Sequence, residues 1–192
     1  INKSMKISNF ILIQLDHLKE DIDEKFHSKI IQIGETTSSK VEVSNKSGNI
    51  VFFGSDVENK NYIFMKNVLS KLPNKKEVTV INPPEDMKSF NIVNTETHDE
   101  TLKVLSENEI YFHASEHETV GLPLYEAQNL GLKVVAPISS YTQYFSPESI
   151  FLYNINDPDD ALKKIDDAKS SSIETIDTLN YSENWKIVLD NI

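Results

Sequence analysis

The sequence contains no cysteine and no arginine. Without cysteine there is no disulfide framework and no thiolate metal centre, a usage that fits the reducing cytosol. Without arginine every fixed cation is one of 19 lysines. An anion can then be held by ammonium groups, backbone N–H groups or a helix N-terminus, and not by a bidentate guanidinium. Basic residues are outnumbered by 30 acidic ones, for a formal net charge of −11. That balance argues against nucleic acid and anionic membrane surfaces as direct partners. No apolar run approaches the ~18 residues of a membrane span, and no signal-peptide pattern opens the chain. The chain begins on Ile1 and in mid-pattern, as a fragment of a longer protein would. Only five glycines occur, and two of them punctuate the stretch with the strongest pattern.

What is present suffices for a core. With 39% hydrophobic residues in 192, the chain is one ordinary domain, or one domain with a piece of another. Residues 10–15 suggest a strand, Asp16 a cap for a helix over 17–26, and residues 29–33 a second strand ended by Gly34. Residues 36–49, rich in Ser, Thr, Lys and Asn, form the best linker candidate. Residues 1–35 are then either the remnant of a preceding domain or the first crossover of a single one. From residue 50 the rhythm steadies. Strands are expected at 50–53, 77–81, 90–93, 110–114, 133–136 and 150–153. Between and after them come helices at 61–72, with Ile63, Phe64, Val68 and Leu69 inward, at 99–106, capped by Thr97 or Asp99, at 124–130 and at 159–168. Residues 173–192 read as two helical pieces around Trp185. Strand and helix alternate, which predicts an α/β fold with a doubly wound parallel sheet.

The chain is organised around residues 111–137, YFHASEHETVGLPLYEAQNLGLKVVAP. An apolar strand runs into a polar loop, then Gly121, Leu122 and a first-turn proline, Pro123. A short helix ends at Gly131, a left-handed stop, and a second buried strand follows. Strand, loop, helix and strand imply a parallel crossover, and ligands of such sheets sit beyond the carboxyl ends of the strands, where this loop lies.

The pattern Glu118-x7-Glu126, with Gly121-Leu122-Pro123 between and Ala127 after, resembles the donor-site motif of retaining GT-B-type glycosyltransferases, especially glycosyltransferase family 4. The likeness extends to GSDVENKN at 54–61, to the helix 157–165 and to the Trp-containing segment 182–189, and so covers roughly residues 50–190. It implies a Rossmann-like sheet forming the C-terminal, donor-binding half of a GT-B architecture. On this view residues 1–35 are a remnant of the acceptor-side domain, 36–49 the linker, and 50–192 the nucleotide-sugar domain with its C-terminal helices. Carried over residue by residue, the resemblance assigns Glu126 to the ribose hydroxyls, and Glu118 to the donor sugar and its developing positive charge. Lys60 falls to the diphosphate, with Gly54 and Ser55 beside it, and backbone groups at Thr119, Val120, Gly121 and Leu122 meet diphosphate and sugar.

Ordinary structural roles stand beside each assignment. Glu126, early in a helix, also favours the helix dipole on a solvated face. Glu118 can be a plain loop carboxylate, Lys60 one lysine among nineteen, and Gly54 a strand-end turn residue. His113 at a strand end reads as a packed histidine, and His117 sits close enough to reach a ligand. With His98 and Glu116 these lack the tight spacing of a metal site, so no metal is expected. Tyr141 and Tyr144 read as packing residues. Ser55 stands where many family members carry arginine, and Tyr144 where an acid is usual.

The expected function is the donor half of an enzyme moving a sugar from a nucleoside-diphosphate sugar to a glycan or lipid-linked glycan, as in O-antigen or capsule synthesis. Transfer would proceed with retention, without cofactor or metal. The acceptor would be held by a missing N-terminal domain, and this chain alone would turn over little. Localisation is expected to be cytoplasmic, at the inner face of the membrane only through other parts of the protein. The alternative is a non-catalytic glycosyltransferase-like binding or interaction module. A nucleotide-sugar epimerase shares the architecture, but its extra acid–base residues are absent.

Overall fold

Six short apolar runs become the strands of one parallel sheet in the computed structural model. The structure describes residues 2–7, 10–13, 16–32, 46–55, 57–84, 87–145, 148, 150–172, 186 and 189. The expected tail helices around Trp185, and residues 33–45 with most of the expected linker, lie outside the described residues. The strands are β3 (Ile50–Phe53), β4 (Val78–Ile81), β5 (Asn91–Val93), β6 (Ile110–Phe112), β7 (Lys133–Pro137) and β8 (Ile150–Tyr153). They lie in the order β5-β4-β3-β6-β7-β8. Counted from β3 this is the 3-2-1-4-5-6 order of a doubly wound dinucleotide-type sheet, and the order reverses between β3 and β6. The expected fold class is confirmed.

The strands read as apolar runs because both of their faces are covered. Phe52, Phe112, Val135 and Tyr153 join one core with α2 (Tyr62–Ser70) and α5 (Pro158–Ser170). Val51, Tyr111 and Val134, one residue out of phase, join the other with α3 (His98–Ser106) and α4 (Leu122–Asn129). Helix ends follow sequence chemistry. Thr97, not Asp99, caps α3, in a capping box with Glu100. Asp157 caps α5 by accepting from the N–H groups of Asp159 and Asp160. The helix from 62 carries one correction. Ile63 is 83% exposed, and the buried face is instead Tyr62, Phe64, Met65, Val68 and Leu69. At 100° per residue Ile63 falls on the outer face with Lys66 and Asn67, both exposed.

Residues before 33 form separate elements: α1 (Asn2–Ile7), β1 (Ile11–Ile13) and β2 (Ile30–Gln32). β1 and β2 pair with each other in a two-stranded parallel sheet, and neither joins the six-stranded one. The single helix expected over 17–26 is instead two 3-10 helices, Asp16–Asp21 and Glu24–Lys29. Asp23 breaks the run, because its carboxylate accepts the Lys25 N–H and starts a new turn. No described helix is long and apolar enough to cross a membrane.

Candidate functional site

Where the strand order reverses, the connections leaving β3 and β6 part to opposite faces and leave a crevice beyond the strand ends. A cleft of about 170 Å³ opens there, lined by Phe53 at the end of β3 and Ser55 after it, by Lys60, by His113 and Ser115 after β6, and by Pro123 of α4. Lys60 closes the 3-10 helix Glu58–Lys60, and the chain turns into α2 at Asn61, held in the left-handed region at φ 50. That turn carries the Lys60 ammonium across to the Glu118 carboxylate, with which it forms an ion pair. The partners are 58 positions apart in sequence, and the Glu118 side chain is only 12% exposed. Asn61 ties the same two segments together, its amide donating to Glu116 Oε1 at 3.1 Å and to Asn156 Oδ1 at 3.4 Å.

The loop after β6 is pinned from below. The Tyr153 hydroxyl donates to the His113 carbonyl at 3.0 Å, and the Tyr141 hydroxyl to the Ser115 carbonyl at 2.5 Å. Tyr141 is thus a packing residue, as the sequence suggested. His113 is also packed, 4% exposed, with Nδ1 3.0 Å from the Tyr111 hydroxyl. Among the described residues its Nε2 has no hydrogen-bond partner, and it lies 3.7 Å from Glu118 Oε1. Burial, and secondarily the Lys60 charge, push its pKa down to about 3, so the ring is neutral. The Tyr111 phenol is held well above its usual range by burial and by the negative charges of Glu118 and Glu126, so it keeps its proton. A phenol proton donated to Nδ1 leaves the imidazole proton on Nε2.

Both carboxylates of the motif are little exposed. They are engaged differently. Glu126, 13% exposed, lies one turn into α4 with its Oε1 2.7 Å from Nε2 of His98, the first residue of α3. Gly121 starts α4 at φ 76, where a Cβ would lie 2.7 Å from Leu124 Cδ1. Leu122 is 44% exposed at the helix start, Thr119 is exposed, and Val120 is buried in the core beneath α4. Gly54 has a structural reason of its own: a Cβ there would run into the Pro83 backbone. The structure therefore gathers Lys60, Ser55 and Pro123 at the start of α4 around one cleft, brings Glu118 to Lys60, and sets Glu126 on His98. The residues that sequence did not single out are Asn61, Asn156, Tyr111 and the His98 partner of Glu126. The last two depend on how α3 and β6 pack, which no local motif signals.

One pH effect follows from His113. Unfolded, a histidine takes up a proton below about pH 6.5; folded, this one resists until about pH 3. The unfolded state binds more protons in that window, so stability should fall as pH drops from about 6.5 toward 3, by up to ~1.4 kcal/mol per unit for a single group. Urea unfolding of wild type and His113→Gln across that range should show a shallower slope in the variant. Equal slopes would overturn it.

No protein-family model matches the sequence, and no curated protein matches it. Among solved structures, the crystal structure of TarM superposes on 97% of this chain and 44% of its own, with a TM-score of 0.72 and 14% identity. The pneumococcal O-GlcNAc transferase GtfA, crystallised with UDP and GlcNAc, covers 98% of this chain at TM-score 0.62 and 16% identity. The match takes in 40% of GtfA. The catalytic domain of the Helicobacter pylori cholesterol-α-glucosyltransferase covers 76% of this chain and 100% of its own, at TM-score 0.51 and 16% identity. These likenesses show the fold: a Rossmann-like unit of the GT-B glycosyltransferase type. The chain spans less than half the length of TarM and of GtfA.

Proposed function

We propose that the chain is the C-terminal, donor-binding half of a retaining glycosyltransferase of the family 4 kind, moving a sugar from a nucleoside-diphosphate sugar to a surface glycan. The observation that carries this is the Lys60–Glu118 pair at the point where the sheet order reverses. There a cation and a carboxylate meet beside the amino end of α4, the three features a diphosphate with an attached sugar requires. In this reading the diphosphate takes Lys60 and the N–H groups at the start of α4, and Glu118 turns to the sugar. Glu126 exchanges His98 for the ribose diol. As the C1–O bond to the β-phosphate breaks, Lys60 balances charge growing on the leaving oxygen. The acceptor oxygen bonds to C1 from the same face and its proton passes to the departing phosphate. Charge is balanced by Lys60 and the helix dipole, with no metal. The acceptor, a glycan or lipid-linked glycan, belongs to a second domain, and the work is done in the cytoplasm, where such donors are made.

Titration calorimetry of the chain with UDP and GDP, bare and sugar-linked, tests the reading. At least one base should give saturable binding. Glu126→Ala should weaken it by ~10-fold or more, the worth of a carboxylate accepting from two hydroxyls. No heat with any of them, from a sample that melts cooperatively, overturns the reading. Ser55 lining the cleft in place of the family arginine favours a second reading, a binding module without turnover. It is distinguished by nucleotide binding with no transfer from the longer protein.

A further inference from the structure

The ring of His113 is nine-tenths and more buried, the residue lines the cleft, and among the described residues its Nε2 has no hydrogen-bond partner. A buried N–H left without a partner is costly, so such groups are rare unless a ligand or water completes them. Nε2 stands 3.7 Å from Glu118 Oε1, too far for a hydrogen bond between the two. An oxygen set to one side of the line that joins them can stand ~2.8 Å from each. That oxygen has to accept from the imidazole N–H and donate to the carboxylate. A hydroxyl does both, whereas a phosphate or carbonyl oxygen only accepts, and a phosphate there would face the like charge of Glu118. We infer that His113 is a specificity-determining residue: with Glu118 it reads one hydroxyl of the donor's sugar. The inference rests on the nucleotide-sugar reading above and names the part of the donor that this corner of the cleft takes. The phosphates then fall to Lys60, which pairs with the same Glu118 oxygen. The neutrality of His113 keeps it an N–H donor without adding a charge that would draw phosphate into the sugar's place. A sugar lacking that hydroxyl leaves two buried polar groups unpaired, the situation in which binding sites discriminate most sharply.

Calorimetry on the chain with UDP, GDP, UDP-glucose, UDP-GlcNAc and GDP-mannose provides the test. For the base that binds, the sugar nucleotide should bind more tightly than the bare diphosphate, by ~10-fold for two hydrogen bonds to one hydroxyl. His113→Phe should abolish that preference and leave bare diphosphate affinity unchanged. His113→Gln, whose amide N–H reaches the same place, should restore it. A preference that survives His113→Phe, a parallel loss of diphosphate and sugar nucleotide, or no rescue by glutamine would overturn the inference. So would a wild type with no preference at all. Should the phenylalanine variant not fold, a monodeoxy series of the bound sugar nucleotide on wild type decides: one position must abolish the preference, and a flat series overturns it. Absence of binding by every nucleotide defeats the nucleotide reading itself, and the hydroxyl assignment with it. Intact diphosphate binding without sugar discrimination defeats only the latter.

Discussion

Lys60→Ala is expected to weaken diphosphate binding by ~100-fold, and Glu118→Gln in the same chain to recover about a tenth or more of the wild-type affinity. The size follows from counting charges in the cleft. Unliganded, Lys60 is neutralised by Glu118, a carboxylate only 12% exposed. An arriving diphosphate must take the ammonium from it. Removing the lysine withdraws the attraction and also leaves a half-buried anion facing another. At 4 Å and an effective dielectric of ~20, each such interaction is worth ~4 kcal/mol before relaxation and screening. A net ~3 kcal/mol, or ~100-fold, is what survives a generous discount. The double variant removes the repulsion, so much of the loss returns. Glu118→Gln alone should bind bare diphosphate more tightly than wild type, because the competing anion has gone. Calorimetry at two salt concentrations reads all four corners of the cycle. Equal affinities for wild type and Lys60→Ala, or additivity of the two substitutions, would sink the role given to the pair.

The pair itself was within reach of sequence. Lys60 follows one strand end and Glu118 another, and parallel strands put all such ends on one edge, so topology alone made them neighbours. Strand and helix order was legible for the same reason: parallel strands buried on both faces leave continuous apolar runs that few other elements imitate. Three things were not legible. Ile63 sits in an apolar cluster, and only the phase of the helix shows that it faces solvent. The break at Asp23 was hidden, because a carboxylate able to cap a turn looks the same as one on a helix surface. The Glu126–His98 contact joins positions 28 apart and depends on how α3 lies against α4, which periodicity does not fix. His113 was read as a packed residue, and it is one.

Gly54→Ala should cost ~3 kcal/mol, a large effect for one methyl group, and should also disconnect Lys60 from Glu118. The added Cβ would strike Cα of Pro83 and lie 2.8 Å from its nitrogen and 3.0 Å from the Asn82 carbonyl oxygen. All of these are backbone atoms, so no side chain can swing aside. The Asn82–Pro83 turn cannot retreat either. Asn82 is held in the left-handed region at φ 50, its N–H donates to the Val93 carbonyl at 3.0 Å, and its side chain accepts the Thr95 N–H at 2.8 Å. The segment that yields must then be the one leaving β3, which carries Ser55 and Lys60. Its anchor, the Gly54 N–H donating to the Ile81 carbonyl at 2.7 Å, is the first bond to be strained. At 2–4 °C per kcal/mol for a chain of this size, melting should fall by ~6–12 °C. Ser55→Ala next door, which loses only a 3.4 Å contact from the Val57 N–H, should stay within ~0.5 kcal/mol of wild type. If Gly54→Ala melts like Ser55→Ala, the close approach of the two loops does not shape the cleft. If it melts low yet binds diphosphate as wild type does, the turn supports the fold without positioning Lys60.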